Sequence, residues 1–218
     1  MDIIEPNLSI LPATQRSIWP KLAAISTKFV LYGGTAIALQ LGHRQSIDFD
    51  LFSSKSFLPE HLAMELAFLQ IESTLQYQPN TLTVLTENNV KLSFFGGLSL
   101  GRVKAPKIAS DNQVRLASLL DMLAIKLKVI LQRAEAKDYL DIEALLNSGL
   151  KLEDGLASAV AIYGKAFPVA ESIKALTYFE EGDLKTLPAK LQEMLRASTR
   201  TIKAPIVAMQ LQNSRLDG

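Results

Sequence analysis

The chain has 218 residues, 48% hydrophobic and 21% charged, an ordinary globular balance that argues against disorder and admits one sizeable core or two small domains. Its 23 Lys and Arg against 22 Asp and Glu leave a net charge of +1, so contact with nucleic acid has to come from a local patch. The absence of cysteine excludes disulfides, thiolate zinc sites and Cys nucleophiles, and two histidines are too few for a histidine-based metal site. The opening MDIIEPNLSILP has no basic n-region, and no run reaches the ~20 apolar residues of a membrane span, so a cytoplasmic protein without a membrane partner is expected.

In chain order, Trp19, Leu22, Ala23 and Ile25 suggest a short helix bracing a sheet. An apolar run, Lys28 to Tyr32, ends in Gly33-Gly34-Thr35, and the apolar, helix-length segment Ala36 to Leu41 follows. A polar turn, residues 42–46, leads into a second strand-like run, Ile47 to Phe52. Pro59 to Gln70 reads as a helix with proline in its first turn, and residues 71–77 as a strand. Thr81 to Thr86 and Val90 to Phe95, joined by Glu87-Asn88-Asn89 and ended by Gly96-Gly97, read as a hairpin. Arg102 to Lys107 forms a short basic loop that suits either an RNA backbone or solvent. Beyond it the pattern turns helical: a helix over 113–133 capped by Asp111 or Asn112, a second over 137–147, and others near 153–163, 169–180 and 183–198. The tail from Lys203-Ala204-Pro205 to Gly218 carries no clear element and is expected either to be loose or to dock on a partner. The class is α+β: a small mixed sheet with flanking helices over residues 1–110, then a helical domain over 111–218 that closes a cleft.

Two features of residues 31–52 call for a chemical reason. A glycine pair between strand and helix brings backbone close to a ligand and leaves helix N–H groups open to phosphate. Asp48 and Asp50 are two apart on a strand, so both carboxylates point to one face, where their repulsion asks for a cation. Mg²⁺ is the usual one where phosphates are also held. Either feature alone is weak, since Gly pairs also serve packing and aspartates at strand ends are commonly solvated. In the order strand, Gly-Gly, helix, strand, Asp-x-Asp, they point to metal-dependent chemistry on a nucleoside triphosphate.

That order resembles the signature of the polymerase-beta-type nucleotidyltransferase superfamily. Arg44-x-Ser46-x-Asp48-x-Asp50-Leu51, the block Asp121 to Lys126, Arg133, and Lys137-Asp138-Tyr139-Leu140-Asp141-Ile142 are similar to its AbiEii/AbiGii toxin branch. The resemblance spans roughly residues 28–146. It implies a nucleotidyltransferase of a toxin–antitoxin or phage-defence system, with an antitoxin partner and an acceptor that is RNA, such as tRNA, or protein. It further implies Mg²⁺, or Mn²⁺ in its place, on Asp48 and Asp50. Gly33, Gly34, Thr35, Arg44, Ser46, Lys126 and Arg133 would bind the nucleotide, and Asp48, Asp50, Lys126 and Asp141 would be catalytic, with Asp138 as an additional carboxylate. From spacing alone, Lys126 and Arg133 share a helix face, as do Asp138 and Asp141 on the next helix. All four would then read as solvated, with Lys137 and Asp141 a surface pair of about 0.5 kcal/mol or less. The resemblance instead assigns them to the site.

One position departs from the superfamily pattern, in which a third carboxylate sits on a later strand. Ser93 stands there, and a hydroxyl is a poor Mg²⁺ ligand and a poor base. Either two aspartates suffice, or Glu87, Asp138 or Asp141 substitutes, or catalysis is weakened. Two other classes therefore stay open: a degenerate nucleotidyltransferase fold that binds a nucleotide or partner without turnover, and an interaction module in which the glycine pair is a packing device.

Overall fold

The computed structural model describes residues 2–25, 27–203 and 205–218; Met1, Ser26 and Ala204, which fall in the N-terminal stretch, the expected brace and the tail, lie outside the described residues. The chain forms two compact units. The first runs to Leu100 and takes in Ala105–Ser118 and Asn213–Gly218; the second comprises Gly101–Lys104 and Leu119–Gln212.

The first unit is built on a mixed sheet. Its strands among the described residues are β1 (Ile3–Ile4), β2 (Val30–Tyr32), β3 (Phe49–Phe52), β4 (Ile71–Gln78), β5 (Thr81–Thr86), β6 (Lys91–Phe95), β7 (Lys107–Ala109) and β8 (Arg115–Leu116), in the order β1-β7-β8-β2-β3-β6-β5-β4. Three helices accompany it: α1 (Ala13–Ile18), extended by a 3-10 segment to Ile25, α2 (Gly33–Leu41) and α3 (Pro59–Glu65). The central strands are arranged by period-two patterning. Phe49, Leu51, Leu92, Phe94, Leu82 and Val84 are buried and join one cluster with Trp19, Leu22, Ala38, Leu39, Leu62 and Leu66 from the helical segments. Trp19 stacks on Phe49 at 6.3 Å, and Phe29 meets Phe94 edge-on at 5.3 Å. The alternate positions of the same strands turn to the opposite face, and these include Asp50 and Ser93.

The hairpin of β5 and β6 and the strand β4 stand where periodicity put them. The helix expected over 113–133 is shorter. Gln113 has φ +62°, which breaks a helix, and residues 115–116 form β8, parallel to β2. The two cap candidates hold Trp19 instead: Asp111 Oδ2 accepts from Trp19 Nε1 at 2.8 Å, and Asn112 Nδ2 donates to the Trp19 carbonyl at 2.8 Å. Residues 213–218 dock on the first unit. Asp217 accepts from Ser53 Oγ (2.9 Å), Ser54 N (3.0 Å) and Ser54 Oγ, and Arg115 Nη1 donates to its carbonyl at 2.8 Å.

The second unit holds α4 (Leu119–Val129), α5 (Ala136–Asn147), α6 (Leu152–Tyr163), α7 (Val169–Ala175) and α8 (Ala189–Arg200). Helices α4 and α6 pack closely because α6 has no side chain at Gly155; a Cβ there would stand 2.6 Å from Leu123 Cδ2. Ser172 Oγ donates to the Leu127 carbonyl at 3.0 Å, tying α7 to α4. Among the described residues no helix is long and apolar enough to cross a membrane.

Candidate functional site

Strands β2 and β3 are antiparallel, with Tyr32 opposite Asp50, so the end of β2 delivers α2 beside that carboxylate. Gly33 opens α2 at φ +76°, and a Cβ built there would lie 2.6 Å from Asp50 Oδ2. Glycine is required twice over, by the backbone angle and by the close approach. The amino end of a nine-residue helix and an aspartate therefore share one place. Asp48 lies 3.2 Å from Lys91 Nζ, and Lys91 is two residues before Ser93, which pairs with Asp50. Asp48 was expected on the strand but lies one residue before β3, and its contact with Lys91 turns it toward the face that carries Ser93 and Asp50. Asp48 and Lys91 side chains are each 39% exposed, so their pairing is screened and replaceable.

The other motif residues of this stretch hold the backbone around the carboxylates. Thr35 and Ser46 are buried and their hydroxyls are 2.7 Å apart; Thr35 Oγ1 also donates to the Asp48 carbonyl. This pair ties the turn before β3 to the first turn of α2 and so sets where Asp48 sits. Gly34 follows in the first turn of α2, partly buried. Arg44 is partly buried in the intervening turn, and its Nη1 donates to the Gln45 carbonyl at 2.9 Å.

Strand β6 runs parallel to β3 and puts Ser93 level with Asp50. Ser93 is buried, and the row continues through Thr83 and Gln76, whose Oε1 accepts from Thr83 Oγ1 at 2.8 Å. The strand neighbour of Asp50 is thus a hydroxyl, followed by further uncharged polar groups. Among the described residues no group of three or more Asp, Glu or His is placed to hold a metal. Lys91 was not singled out from sequence. Its signal is its place two residues before Ser93, which becomes meaningful only once β6 is known to pair with β3 in parallel.

In the second unit, Lys126 on α4 meets two carboxylates of α5. Its Nζ lies 2.6 Å from Asp138 Oδ1 and 2.6 Å from Asp141 Oδ2. Both aspartates are fully buried and the lysine nearly so. Arg133 completes the cluster, with Nε 2.8 Å from Asp138 Oδ2 and Nη2 3.1 Å from Oδ1, a two-pronged grip. Burial alone would raise the Asp138 carboxyl; the Arg133 hydrogen bonds and the Lys126 charge outweigh it and hold the group below the usual carboxylate range. The solvated reading of Lys126, Asp138 and Asp141 does not describe this cluster. Lys137 pairs with Glu135 at 2.7 Å, and Asp141 with Lys126. Arg133 alone among the four keeps a substantially exposed side chain, at 44%. Asp121, from the same sequence block, is buried and accepts from Val103 N at 2.8 Å and Lys104 N at 3.3 Å.

A mixed sheet with a glycine-led helix set against Asp-x-Asp defines a nucleotidyltransferase-like protein. The family described as "Nucleotidyl transferase AbiEii toxin, Type IV TA system" matches residues 21–212, and the chain belongs to it. The "Uncharacterized protein aq_aa25" of Aquifex aeolicus (strain VF5) is 29% identical over 176 residues, 78% of this chain and 84% of that one. The chain is therefore a member of the AbiEii nucleotidyltransferase toxins of type IV toxin–antitoxin systems.

Proposed function

We propose that this protein moves a nucleotide from a nucleoside triphosphate to a hydroxyl or phosphate of an acceptor, which is RNA, with tRNA 3′ ends the first to try, or protein. The observation that carries the reading is the Asp50 carboxylate lying against Gly33 at the amino end of α2. The donor set suits Mg²⁺, which commonly takes one or two carboxylates and completes its shell with substrate phosphates and water. Asp48 and Asp50 would hold it, or Mn²⁺, and when bound it would polarise the phosphoryl oxygens and offset their charge. The N–H groups of Gly33, Gly34 and Thr35 bind the phosphates at the helix end. The Thr35–Ser46 pair fixes the Asp48 backbone. Arg44 supplies cationic charge for the triphosphate. Lys126, matched by Asp138 and Asp141, and Arg133, gripped by Asp138, form a charge-balanced cluster that holds α4 to α5. The protein acts in the cytoplasm, beside an antitoxin.

The test is label transfer from each of four α-labelled nucleoside triphosphates, with Mg²⁺, to total RNA and to cell lysate. Wild type is expected to label one acceptor class, and Asp48→Ala or Asp50→Ala to lose at least about a hundredfold. No transfer by wild type, or equal transfer by Asp48→Ala, rejects the assignment. Ser93 level with Asp50 favours one alternative, a nucleotide-binding protein without turnover. Measurable nucleotide affinity with no product in any arm would select it.

A further inference from the structure

A cavity of about 590 Å³ lies within the first unit, beneath the loop that joins β3 to α3. That volume falls within the range of small-ligand sites, about 300–1,000 Å³. It is separate from the Asp-x-Asp site. Strand β3 runs from Asp50 to Phe52 toward the start of β2, where Val30 opposes Phe52, so Ser53 and Phe29 on the cavity wall stand at the end of the strands away from Gly33. Three residues of extended chain separate Asp50 from Ser53, about 10 Å.

The roof of this cavity is pinned in place. Ser53 N donates to the Phe95 carbonyl (2.8 Å), Leu98 N to the Ser53 carbonyl (3.2 Å), and Gly97 N to the Lys55 carbonyl (3.0 Å). Phe57 is held on both sides: its N–H donates to Asn80 Oδ1 at 2.9 Å, and its carbonyl accepts from Asn80 N at 3.1 Å. Asn80 adopts φ +63° as the second residue of the Pro79-Asn80 turn between β4 and β5, a conformation that asparagine tolerates. Gly96 and Gly97 are the pair that ends the hairpin. A Cβ at Gly96 would stand 2.6 Å from the Phe57 ring and 2.7 Å from the Lys55 carbonyl. Gly97, at φ +63°, would meet Asn80 at 2.9 Å. Two glycines, a turn asparagine and five hydrogen bonds thus hold one short loop over a hollow that the nucleotidyl-transfer reading does not use.

The lining specifies what the hollow fits. Phe29, Phe57 and Leu62 give an apolar, aromatic floor, with the two rings edge-on at 5.9 Å. Lys28 at the rim is matched by Glu65 at 2.5 Å. Lys55 and His61 are exposed at the mouth, and neither has a salt-bridge partner among the described residues. Ser56 adds an exposed hydroxyl at the rim, and Asn80 an amide whose Oδ1 is already engaged by Phe57 N. A flat heteroaromatic ring suits the aromatic floor, its polar edge faces Ser56 and His61, and an attached anion meets Lys55.

We propose that this cavity is a second binding site, which takes a nucleobase together with its phosphate, either as a free mononucleotide or as one unstacked nucleotide of single-stranded RNA. It is distinct from the Asp48–Asp50 site and does not depend on that site's activity. The test is a heteronuclear NMR titration of the full chain, without Mg²⁺, with AMP, GMP, CMP, UMP and a 5′-phosphorylated triuridylate. Amide shifts are expected to saturate over residues 53–62 and 79–80. They should persist in Asp48→Ala and weaken at least tenfold in Lys55→Glu, a surface change that spares the fold. Tighter binding of a mononucleotide assigns the site to free nucleotide; tighter binding of triuridylate assigns it to RNA. The proposal is overturned if none of the probes shifts these residues, if the shifts fall only on residues 33–36 and 48–50, or if Lys55→Glu binds like wild type. Label transfer by a protein that fails this titration would overturn the second site and leave the first intact.

Discussion

Replacing Gly33 by alanine separates the chemistry of the first unit from its stability. Two costs follow from the geometry. An alanine held at φ +76° sits in the left-handed region, at about 1–2 kcal/mol. Its Cβ would be 2.6 Å from Asp50 Oδ2, whereas ordinary contact begins near 3.4 Å, so the carboxylate must withdraw by about 0.8 Å. The clash falls on the end of a partly buried side chain rather than on backbone, so it adds less to the stability cost than the backbone angle does. Function is more sensitive, because a displacement of this size at a reacting centre costs on the order of a hundredfold in rate. Gly33→Ala is therefore expected to unfold in urea with about 1–2 kcal/mol less stability and to transfer label about a hundredfold more slowly. Gly149→Ala, at φ +98° with nothing within 4 Å of an added Cβ and outside the site, is the control for the backbone cost alone. Unchanged transfer by Gly33→Ala, with the stability loss present, would refute the claim that Asp50 works against the end of α2.

Three other outcomes are expected. Lys126→Met leaves two buried carboxylates without their shared cation and should cost about 3–5 kcal/mol in urea unfolding; a loss below about 1 kcal/mol would mean the cluster is not the charged core described above. Asp138, whose carboxyl is held below its ordinary value of 3.8, stabilises the fold above that pH, and this stabilisation is lost as pH falls through the lowered folded-state value. The difference in stability between wild type and Asp138→Asn, followed by urea unfolding, should therefore be flat near neutrality and shrink below about pH 4; a constant difference down to pH 2 would contradict the assignment. Ser93→Asp puts a carboxylate level with Asp50, so its thermal midpoint should fall below wild type without Mg²⁺ and recover with it; a midpoint indifferent to Mg²⁺ would count against a metal site on this face.

Strands β2 to β6 and the glycine–aspartate motif were legible because each rests on short-range rules. Period-two alternation marks β5 and β6, and the glycine pair followed by Asp-x-Asp marks the turn of chain that brings α2 to β3. Other features depend on partners distant in sequence. Asp111 and Asn112 have the chemistry of helix caps, yet both hold Trp19, more than ninety residues earlier. β1 and β8 are two residues each, too short to carry a period. Lys91 gains meaning only through the parallel register of β3 and β6. The burial of Asp138 and Asp141 was likewise illegible, since Lys137 at i,i+4 from Asp141 offers a closer partner in sequence than Lys126, which the fold supplies.

The two groups of charges differ in how they are settled, and that difference separates the perturbations expected at each. Lys126, Asp138 and Asp141 are enclosed, and each lies within 2.6 Å of an opposite charge. Desolvated charges so closely matched resist exchange, because any ligand taking one partner leaves another buried and uncompensated. They suit a scaffold that carries Arg133 at a fixed angle. Asp48 is different: it is 39% exposed and faces a lysine equally exposed at 3.2 Å, an interaction weak enough for another cation to replace. Removing Lys126 should therefore appear first as lost stability, and removing Asp48 as lost transfer in a protein that unfolds like wild type. If Asp48→Ala instead lowered stability as much as Lys126→Met, the aspartate would belong to the scaffold, and the place for nucleotide chemistry would have to be sought elsewhere in the chain.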